Sequence, residues 1–235
     1  MQTNLPFGQT ADLKTIQNRL RVVFRPQPDG VRKPPLHQFI RSFLGGWGWP
    51  SDRAFTRLLN RFPKLEALAD AEADEIAPLL DGVTAPRDKA QNLPGALRQI
   101  RARAGSLDLE FLGGLDVAIA LRWLEQIHGA GRKVAAATLN FSTLRKRAFV
   151  ADTNSIRVLR RFGFVRAGAT TEDVYNAVMA SADGMSADDL YQLHWRLKKL
   201  GQTTCKQANA LCRLCPLADI CMKRIEIDPL HGRAA

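Results

Sequence analysis

Hydrophobic residues recur at helical spacing along most of the chain. In the segment ADLKTIQNRLRVVF, Leu13, Ile16, Leu20 and Val23 follow one another at intervals of three or four residues, and two prolines then end the pattern. No segment shows the sustained alternation of apolar and polar residues that a half-buried strand requires. The pattern therefore predicts an all-α fold.

Further segments of helical character follow a basic, proline-containing stretch, RPQPDGVRKPP, which is predicted to be a linker. Ser51 and Asp52 are predicted to cap the helix that they open, because short polar side chains accept hydrogen bonds from the first amide groups of a helix. The predicted helices are LHQFIRSFL, SDRAFTRLLNRF, EALADAEADEIAPLL (one helix or two short ones), DKAQNLPGALRQIRARAG, LDVAIALRWLEQI, RKVAAATLNFS, TNSIRVLRRFG, TEDVYNAVMAS and ADDLYQLHWRLKKLG.

The size of the chain fits one domain or two small ones. It has 235 residues, of which 46% are hydrophobic, enough to bury a real core. It contains no long apolar run that predicts a membrane helix. Its start, MQTNLPFGQTADLKTIQ, lacks the charged residues and apolar block of a secretory signal. We therefore expect a cytoplasmic protein, a monomer, with no membrane association.

The chain is strongly basic. Its 34 Lys and Arg exceed its 23 Asp and Glu, for a net charge of +11. Such an excess favours a polyanionic partner, most often nucleic acid. An anionic membrane surface is the weaker alternative, since no amphipathic basic helix stands apart. A basic soluble enzyme with no polyanionic partner is the remaining one.

All four cysteines lie within the segment CKQANALCRLCPLADIC near the C-terminal end. In a reducing cytosol, clustered cysteines are more often metal ligands than disulfides. Two disulfides within so short a segment would also need tight, strained loops. The segment therefore predicts a metal site formed by Cys205, Cys212, Cys215 and Cys221.

A glycine-containing turn separates two apolar helices in the segment LEQIHGAGRKVAAATL. Gly129 and Gly131 fit a tight turn with positive φ and a backbone that comes close to another group. Amide groups at the start of the second helix, with the positive end of its dipole, could hold a phosphate oxygen of DNA. Many ordinary helix ends carry similar glycines, so this pattern alone is weak evidence.

Two titratable residues flank the second of these helices. Lys133 lies just inside its start, where the helix dipole disfavours the ammonium form, and a neutral amine can form a Schiff base with a sugar carbon. The simpler alternative is a surface lysine that contacts phosphate. Asp152 precedes the next predicted helix and is expected to cap it. At the edge of a buried cleft the same carboxylate could stabilise an oxocarbenium-like sugar or activate a nucleophile.

Together these motifs resemble endonuclease III-like DNA glycosylases of the helix-hairpin-helix-GPD superfamily. The likeness rests on Gly-x-Gly-Arg-Lys, on Asp-Thr about twenty residues later, and on C-x6-C-x2-C-x5-C. It extends from about Pro35 to Lys223 and is strongest after Leu121. The cysteine spacing is its most specific part and matches the [4Fe–4S] loop of that family at all four positions. Zinc is the alternative ligand of four thiolates.

The resemblance implies a role for each matched residue. Lys133 would be the Schiff-base lysine and Asp152 the catalytic aspartate, which together imply base excision followed by β-elimination. Double-stranded DNA would bind at Gly129, Ala130, Gly131 and Arg132. If several arginines near Arg157, Arg160 and Arg161 face DNA, we expect a non-specific DNA affinity that falls steeply with salt concentration.

Three departures from the family pattern leave the excised base open. The hairpin begins Ile-His-Gly instead of Leu-Pro-Gly, and Asn154 follows Asp-Thr where repair enzymes usually carry histidine. Asp-Thr-Asn is similar to the plant 5-methylcytosine glycosylases. In FLGGWGWPSD, Trp47 or Trp49 stands where the family has a glutamine that fills the space of the flipped base. Stacking on DNA and core packing are both open for this tryptophan.

We therefore expect a two-lobed, all-α glycosylase. Residues 36–149 would form a central helical lobe, and residues 1–35 with 150–228 a cluster lobe, with Lys133 and Asp152 facing each other across a cleft. Oxidised pyrimidine is the default substrate class and a modified cytosine the second. A non-catalytic DNA-binding module with a structural or redox-sensing cluster is the alternative from a different functional class.

Overall fold

The computed structural model describes residues 13–28, 30–46 and 48–223. Within these ranges the chain is helical, and its one ladder-type pairing is an isolated bridge between Lys33 and Ser142. The predicted all-α fold is confirmed. None of the described helices is long and apolar enough to cross a bilayer. The α-helices are α1 (Leu13–Val23), α2 (Pro35–Phe43), α3 (Trp49–Arg61), α4 (Leu65–Ala69), α5 (Ala73–Ile76), α6 (Pro86–Ala104), α7 (Val117–Glu125), α8 (Arg132–Phe141), α9 (Thr153–Phe162), α10 (Thr171–Ser181) and α11 (Ala187–Thr203).

The chain forms two compact units. Of the described residues, one unit contains 30–150, and the other combines 13–28 with 151–223. The first boundary lies inside the predicted linker RPQPDGVRKPP, whose described residues form no helix before Pro35. Proline at the first position of α2 starts that helix, because its fixed φ suits the helix and its missing N–H has no partner there in any case.

In the unit from residue 29 to 150, helix α8 packs against α2 and α7. The apolar side chains of α2 and α8 are fully buried where the helices meet, as at Phe39, Ile40, Ala135 and Leu139. Burial of a leucine, isoleucine or phenylalanine side chain contributes roughly 1.5–3 kcal/mol relative to leaving it in water. This packing fixes the helix that carries Lys133.

In the second unit, α9 and α11 pack closely, and α1 lies against α11. Leu13, Ile16 and Leu20 of α1 are fully buried, as their spacing predicts, whereas Val23 at the helix end is half exposed. Gly201 allows α11 to approach α9, since a Cβ at this position would lie 2.8 Å from the Cβ of Asn154. The glycine thus sets the distance between the two helices.

The predicted cap of α3 is wrong. The helix begins at Trp49, with Gly48 at the cap position and a proline in its first turn, which is a favoured place for proline. Ser51 and Asp52 are therefore already inside the helix. The Ser51 hydroxyl donates to the Leu44 carbonyl at 3.3 Å, and Asp52 pairs with Arg41 at 2.5 Å.

We expect Gly201→Ala to destabilise the protein by about 1–3 kcal/mol, the usual cost of overpacking. The added methyl would meet the backbone of Asn154 at 3.3 Å as well as its Cβ, so no flexible side-chain end can move aside. Denaturant unfolding followed by circular dichroism measures the change.

Gly95→Ala is the matched control, because Gly95 lies inside α6 with no atom within 4 Å of an added Cβ. Alanine there should stabilise the protein by about 0.5–1 kcal/mol. Equal effects of the two substitutions would show that the α9–α11 distance does not depend on Gly201.

Candidate functional site

The turn between α7 and α8 needs glycine at position 129. Gly129 has φ +79°, and a Cβ there would lie 2.8 Å from two ring carbons of Phe43. Gly131 is different: it caps α8 in an extended conformation, with φ −79° and no atom within 4 Å of an added Cβ. The positive φ expected of the turn is confirmed at Gly129, whereas Gly131 leaves open space beside the backbone at the helix start.

Ala130, between these glycines, and Arg132, after them, are both largely shielded from solvent. Ala130 is 3% exposed, and its amide donates to the Ile127 carbonyl at 3.0 Å. The guanidinium of Arg132 forms a two-point ion pair with Glu125 at the end of α7, with one contact at 3.2 Å. Both side chains are mostly buried. Arg132 thereby joins the two helices of the hairpin.

Lys133 is the second residue of α8, and its Nζ donates to the Gly45 carbonyl at 3.2 Å. This carbonyl belongs to the turn between α2 and α3, where Gly45 has φ +132° and Gly46 φ +87°. A second lysine reaches the same turn: Lys89 of α6 donates to the Leu44 carbonyl at 2.8 Å. Burial lowers the pKa of Lys89, and the charge of Lys133 lowers it further. The sequence pattern did not predict this contact of Lys89.

The predicted wedge residue, Trp47, lies outside the described residues. The same holds for the side chain of Trp49, the other candidate. Of the surrounding loop, the described backbone at Gly48 has a φ of +145°.

Asp152 caps α9, as its position predicts. Its carboxylate accepts from the Ser155 amide at 2.8 Å, and the Ser155 hydroxyl accepts from the Asp152 amide at 2.8 Å. Burial by itself would raise the pKa of Asp152, but the charge of His194, the Ser155 amide and the charge of Lys198 outweigh it. The net pKa is below the usual range, so the carboxylate is ionised at neutral pH. His194 is itself 3% exposed.

A hydrogen-bonded link runs from the start of α9 to the cysteine segment. The guanidinium of Arg157 donates to the Asn154 side-chain oxygen at 3.0 Å, to the Gly201 carbonyl at 2.7 Å and to the Cys205 carbonyl at 3.0 Å. Asn154 lies two residues after Asp152. Sequence reasoning missed this link, because its partners are 44 to 48 residues apart along the chain.

The three arginines considered for DNA have partners within their own unit. Arg157 takes part in the link to Cys205, and Arg160 donates to the Ala169 carbonyl at 2.9 Å. Arg161 donates to the carbonyls of Lys206 and Gln207 at 2.5 and 2.9 Å. These guanidinium groups hold backbone in place, and that they also face DNA stays a prediction.

The four cysteines line one pocket of the second unit, although their sequence positions span a loop with a single 3-10 turn. Arg161 approaches the Cys205 sulfur at 3.8 Å, and the Lys223 amide donates to the Cys221 sulfur at 3.3 Å. The residues that line the pocket besides the cysteines are Arg161, Thr204, Ala210, Ala218 and Lys223.

Two of the four thiols in the pocket, those of Cys215 and Cys221, are disfavoured as thiolates. Burial raises the pKa of Cys215 and Cys221, and negative charge on the other cysteines raises it as well. Within the described ranges, no group of three or more His, Cys, Asp or Glu side chains is arranged to hold one metal ion. Four thiolates around one zinc ion would lie within about 4 Å of each other, since each Zn–S bond is about 2.3 Å.

Lys133 and Asp152 belong to different units, the first to residues 29–150 and the second to residues 151–223. Each has a defined local setting: Lys133 on the glycine turn after α2, and Asp152 on the cap of α9. That they face each other stays a prediction.

Comparison with known proteins shows similarity to DNA glycosylases. The chain is 26% identical to the adenine DNA glycosylase of Mus musculus over 188 residues, 76% of this chain and 34% of the mouse protein. It is 24% identical to the DNA glycosylase/AP lyase ROS1 of Arabidopsis thaliana over 170 residues, 66% of this chain and 12% of that protein. The chain thus spans a third of the first protein and about an eighth of the second.

A solved structure shares the fold. It is a trapped covalent intermediate of endonuclease III with DNA, 19% identical, with a TM-score of 0.73 over 89% of this chain and 94% of that one. The family model of the HhH-GPD superfamily base excision DNA repair proteins matches residues 51–182, which include the glycine turn, Lys133 and Asp152. The chain therefore belongs to the HhH-GPD superfamily of base excision DNA repair proteins.

Proposed function

We propose that this protein is a bifunctional DNA glycosylase and AP lyase that removes a damaged base, by default an oxidised pyrimidine, from double-stranded DNA. The observation that carries the proposal is the placement of Lys133. Its amine lies at the start of the hairpin helix, beside a second lysine and against a fixed glycine turn. Repulsion from a neighbouring ammonium and the helix dipole both favour the neutral, nucleophilic amine.

The proposed reaction begins with a nucleotide flipped out of the duplex, which costs a few kcal/mol and less for a damaged base. The neutral Nζ of Lys133 attacks C1′, and the bond from C1′ to the base breaks. Its electron pair leaves with the base, which takes up one proton as the amine loses one. Opening of the sugar ring, with protonation of O4′, gives the Schiff base. Loss of a C2′ proton then expels the 3′ phosphate.

Asp152 would act as a fixed negative charge in this reaction. Its lowered pKa makes it a weak base but keeps it ionised, and an ionised carboxylate stabilises positive charge on a sugar. The hydrogen bonds with Ser155 hold the carboxylate at the helix start. Capping and catalysis are therefore compatible roles of one side chain.

DNA would be held through the backbone of the hairpin. The open space beside Gly131, at the positive end of α8, suits a phosphate oxygen. Arg132 would support this contact indirectly, since its guanidinium is engaged by Glu125. Contacts of this kind position a protein on DNA without reading its sequence.

The cysteine pocket would hold a [4Fe–4S] cluster. Four half-buried thiols in one pocket suit a soft metal centre, and the positive charge of its iron would offset the cost of burying thiolates at Cys215 and Cys221. A cubane separates its four thiolates by iron and sulfide, so it fits cysteines that share a pocket without the geometry of a single-ion site. In this proposal the cluster orders the loop after α11.

A modified cytosine is the second candidate substrate. Asp-Thr-Asn at residues 152–154 and the similarity to the Arabidopsis AP lyase favour it. The side-chain oxygen of Asn154, however, accepts a hydrogen bond from the Arg157 guanidinium. A role in linking α9 to the cysteine segment accounts for this asparagine without any contact to a base. We therefore keep oxidised pyrimidine as the default.

We expect Lys133→Gln to abolish the covalent adduct that borohydride traps between the protein and a duplex with one abasic site. Glutamine keeps much of the reach of lysine but has no nucleophilic amine. Gel-shift affinity for the same duplex should stay within about threefold, because the hairpin backbone is unchanged. The substrate panel should then include single oxidised pyrimidines and 5-methylcytosine.

Lys64→Gln serves as the control, since it removes a lysine with no proposed role from the same unit. Full trapping by the Lys133 variant would assign the chemistry to another amine. No trapping by the wild-type protein on any lesion, with binding intact, would favour a non-catalytic DNA-binding module.

We expect Asp152→Asn to slow single-turnover base release by about a hundredfold or more, the usual cost of losing one preorganised electrostatic contact. Asparagine also caps helices well, so the fold of α9 should persist. Because the pKa of Asp152 is lowered, the wild-type carboxylate should stay ionised from pH 8 down to pH 5. The ratio of wild-type to variant rates should therefore be constant over this range.

Asp173→Asn is the control, as Asp173 is another carboxylate of lowered pKa at a helix start in the same unit. It should leave base release unchanged. A rate ratio for Asp152→Asn that falls toward one between pH 8 and pH 5 would mean that Asp152 titrates there and acts as a base.

We expect protein purified without oxygen to contain about four iron and four sulfide ions per chain. Metal analysis and the visible absorbance of iron sulfide measure this. Cys215→Ser should lose most of the iron, because serine is a poor ligand for it. One zinc per chain in colourless, active protein would replace the cluster with a zinc site.

A further inference from the structure

The turn between α2 and α3 receives two lysines from two different helices. Lys89 of α6 donates to the Leu44 carbonyl at 2.8 Å, and Lys133 of α8 donates to the next carbonyl, that of Gly45, at 3.2 Å. The Nζ of Lys89 lies 3.8 Å from the position that a Cβ on Gly45 would occupy. The two amines are therefore neighbours on one short piece of backbone, within one unit of the chain.

This piece of backbone is firmly held. The Gly45 amide donates to the Ser42 carbonyl at 3.1 Å, and the Gly46 amide donates to the Arg41 carbonyl at 3.0 Å. A side chain at Gly45 would approach the Ser51 hydroxyl at 3.0 Å, in a backbone conformation that strains any residue except glycine. The turn thus offers both amines fixed acceptors.

Lys89 has the properties of a proton acceptor. Its side chain is half-buried. Burial is the larger cause that lowers its pKa, and the charge of Lys133 is the second. Lysines whose pKa is lowered in this way can serve as general bases. A neutral amine that donates one N–H to the Leu44 carbonyl keeps a lone pair for a proton, and the exposed part of the side chain can pass that proton to water.

The proposed reaction needs a base for the C2′ proton. C2′ is bonded to C1′, the sugar atom that the Schiff base attaches to the Nζ of Lys133, so the base has to stand close to this lysine. A general base acts within hydrogen-bond reach of the proton that it takes. Lys89, on the neighbouring carbonyl of the same turn, meets this condition from its own helix. Asp152 is a weak base, since its pKa is lowered.

We propose that Lys89 is a catalytic base of the lyase step: its neutral Nζ takes the C2′ proton from the Schiff base that Lys133 forms. The inference rests on the proposed function of Lys133. The electron pair of the C2′–H bond forms the C2′=C3′ double bond. The C3′–O bond breaks, and its electron pair leaves with the 3′ phosphate. Lys89 ends the step as an ammonium and returns the proton to water.

The charge of the Schiff base favours a neutral Lys89 at this step. Two neighbouring amines titrate as a pair, so one is more easily neutral while the other carries charge. A protonated Schiff base holds its positive charge on the nitrogen of Lys133 and therefore repels an ammonium at Lys89. Asp52 of α3 is engaged by Arg41 of α2, and Asp88, next to Lys89 in α6, is exposed to solvent, where its charge is screened.

The experiment measures Schiff-base formation and strand cleavage separately, on a duplex with one abasic site under single-turnover conditions. Borohydride trapping reports the Schiff base, and cleavage without borohydride reports the elimination. We expect Lys89→Met to keep trapping within about threefold of the wild type. Cleavage should be slower by about a hundredfold or more, the usual contribution of a general base. Lys133→Gln should lose both signals.

Lys89→Arg separates basicity from charge and structure. Arginine keeps a positive charge and N–H donors for the Leu44 carbonyl, but it stays protonated and cannot take a proton. It should therefore lose cleavage and keep trapping, as Lys89→Met does. Ser51→Ala is the control, because it removes the other donor to the Leu44 carbonyl, at 3.3 Å, and no amine. It should leave both rates unchanged.

An abasic duplex deuterated at C2′ gives a third measurement. Without its base, the loss of the C2′ proton becomes the slow step, so the isotope effect on cleavage should be larger in Lys89→Arg than in the wild type. A role of Lys89 in holding the turn alone would slow trapping and cleavage together and leave the isotope effect unchanged.

The outcomes are distinct. Equal losses of trapping and cleavage in Lys89→Arg, or normal cleavage by this variant, overturn the proposal, and the arginine variant decides even if Lys89→Met is poorly folded by circular dichroism. A wild-type protein that neither traps nor cleaves contradicts the proposed function itself, and with it any role of Lys89 in elimination.

Discussion

The guanidinium of Arg157 is the contact on which the unit around the cysteine pocket depends. It joins three chain segments that sequence order keeps apart: the start of α9 through Asn154, the end of α11 through the Gly201 carbonyl, and the cysteine segment through the Cys205 carbonyl. An arginine can do this because its planar group carries five donors in fixed directions. Gly201 makes the geometry possible, since any side chain there would separate α11 from α9.

Other arginines in the described part of the chain also form hydrogen bonds or ion pairs within their own unit. A net charge of +11 suggests a surface covered with free cations, yet Arg132, Arg157, Arg160 and Arg161 all have partners inside their own unit. Their charges still contribute to the field that attracts a polyanion, because a carbonyl partner does not neutralise them. In the proposed function, backbone amides at the start of α8 would contact a phosphate directly. Long-range attraction and local contact would then be supplied by different groups.

What could be predicted from sequence depended on whether the cause was local. The positive φ at Gly129 and the cap at Asp152 follow from neighbours within a few residues, and both were expected. The prediction of a cap at Ser51 and Asp52 is wrong because the helix, with Pro50 in its first turn, begins at Trp49, two residues before Ser51. Lys89, His194 and Arg157 could not be placed, since their partners are brought near by packing of helices that are distant in sequence. Trp47 lies outside the described residues.

The two proposed catalytic residues are prepared by opposite electrostatic means. Asp152 is half-buried, which alone would favour its neutral form, and His194, Ser155 and Lys198 overcome that cost to keep it charged. Lys133 lies at the start of α8, and a second lysine, Lys89, donates to the neighbouring carbonyl of the same turn, so a like charge close by favours a neutral amine. A reaction that needs a nucleophilic amine and a stable anion at the same pH requires such a division. The contacts described for Asp152 lie within one unit of the chain and those described for Lys133 within the other. The electrostatic setting of each residue can therefore be explained without the other.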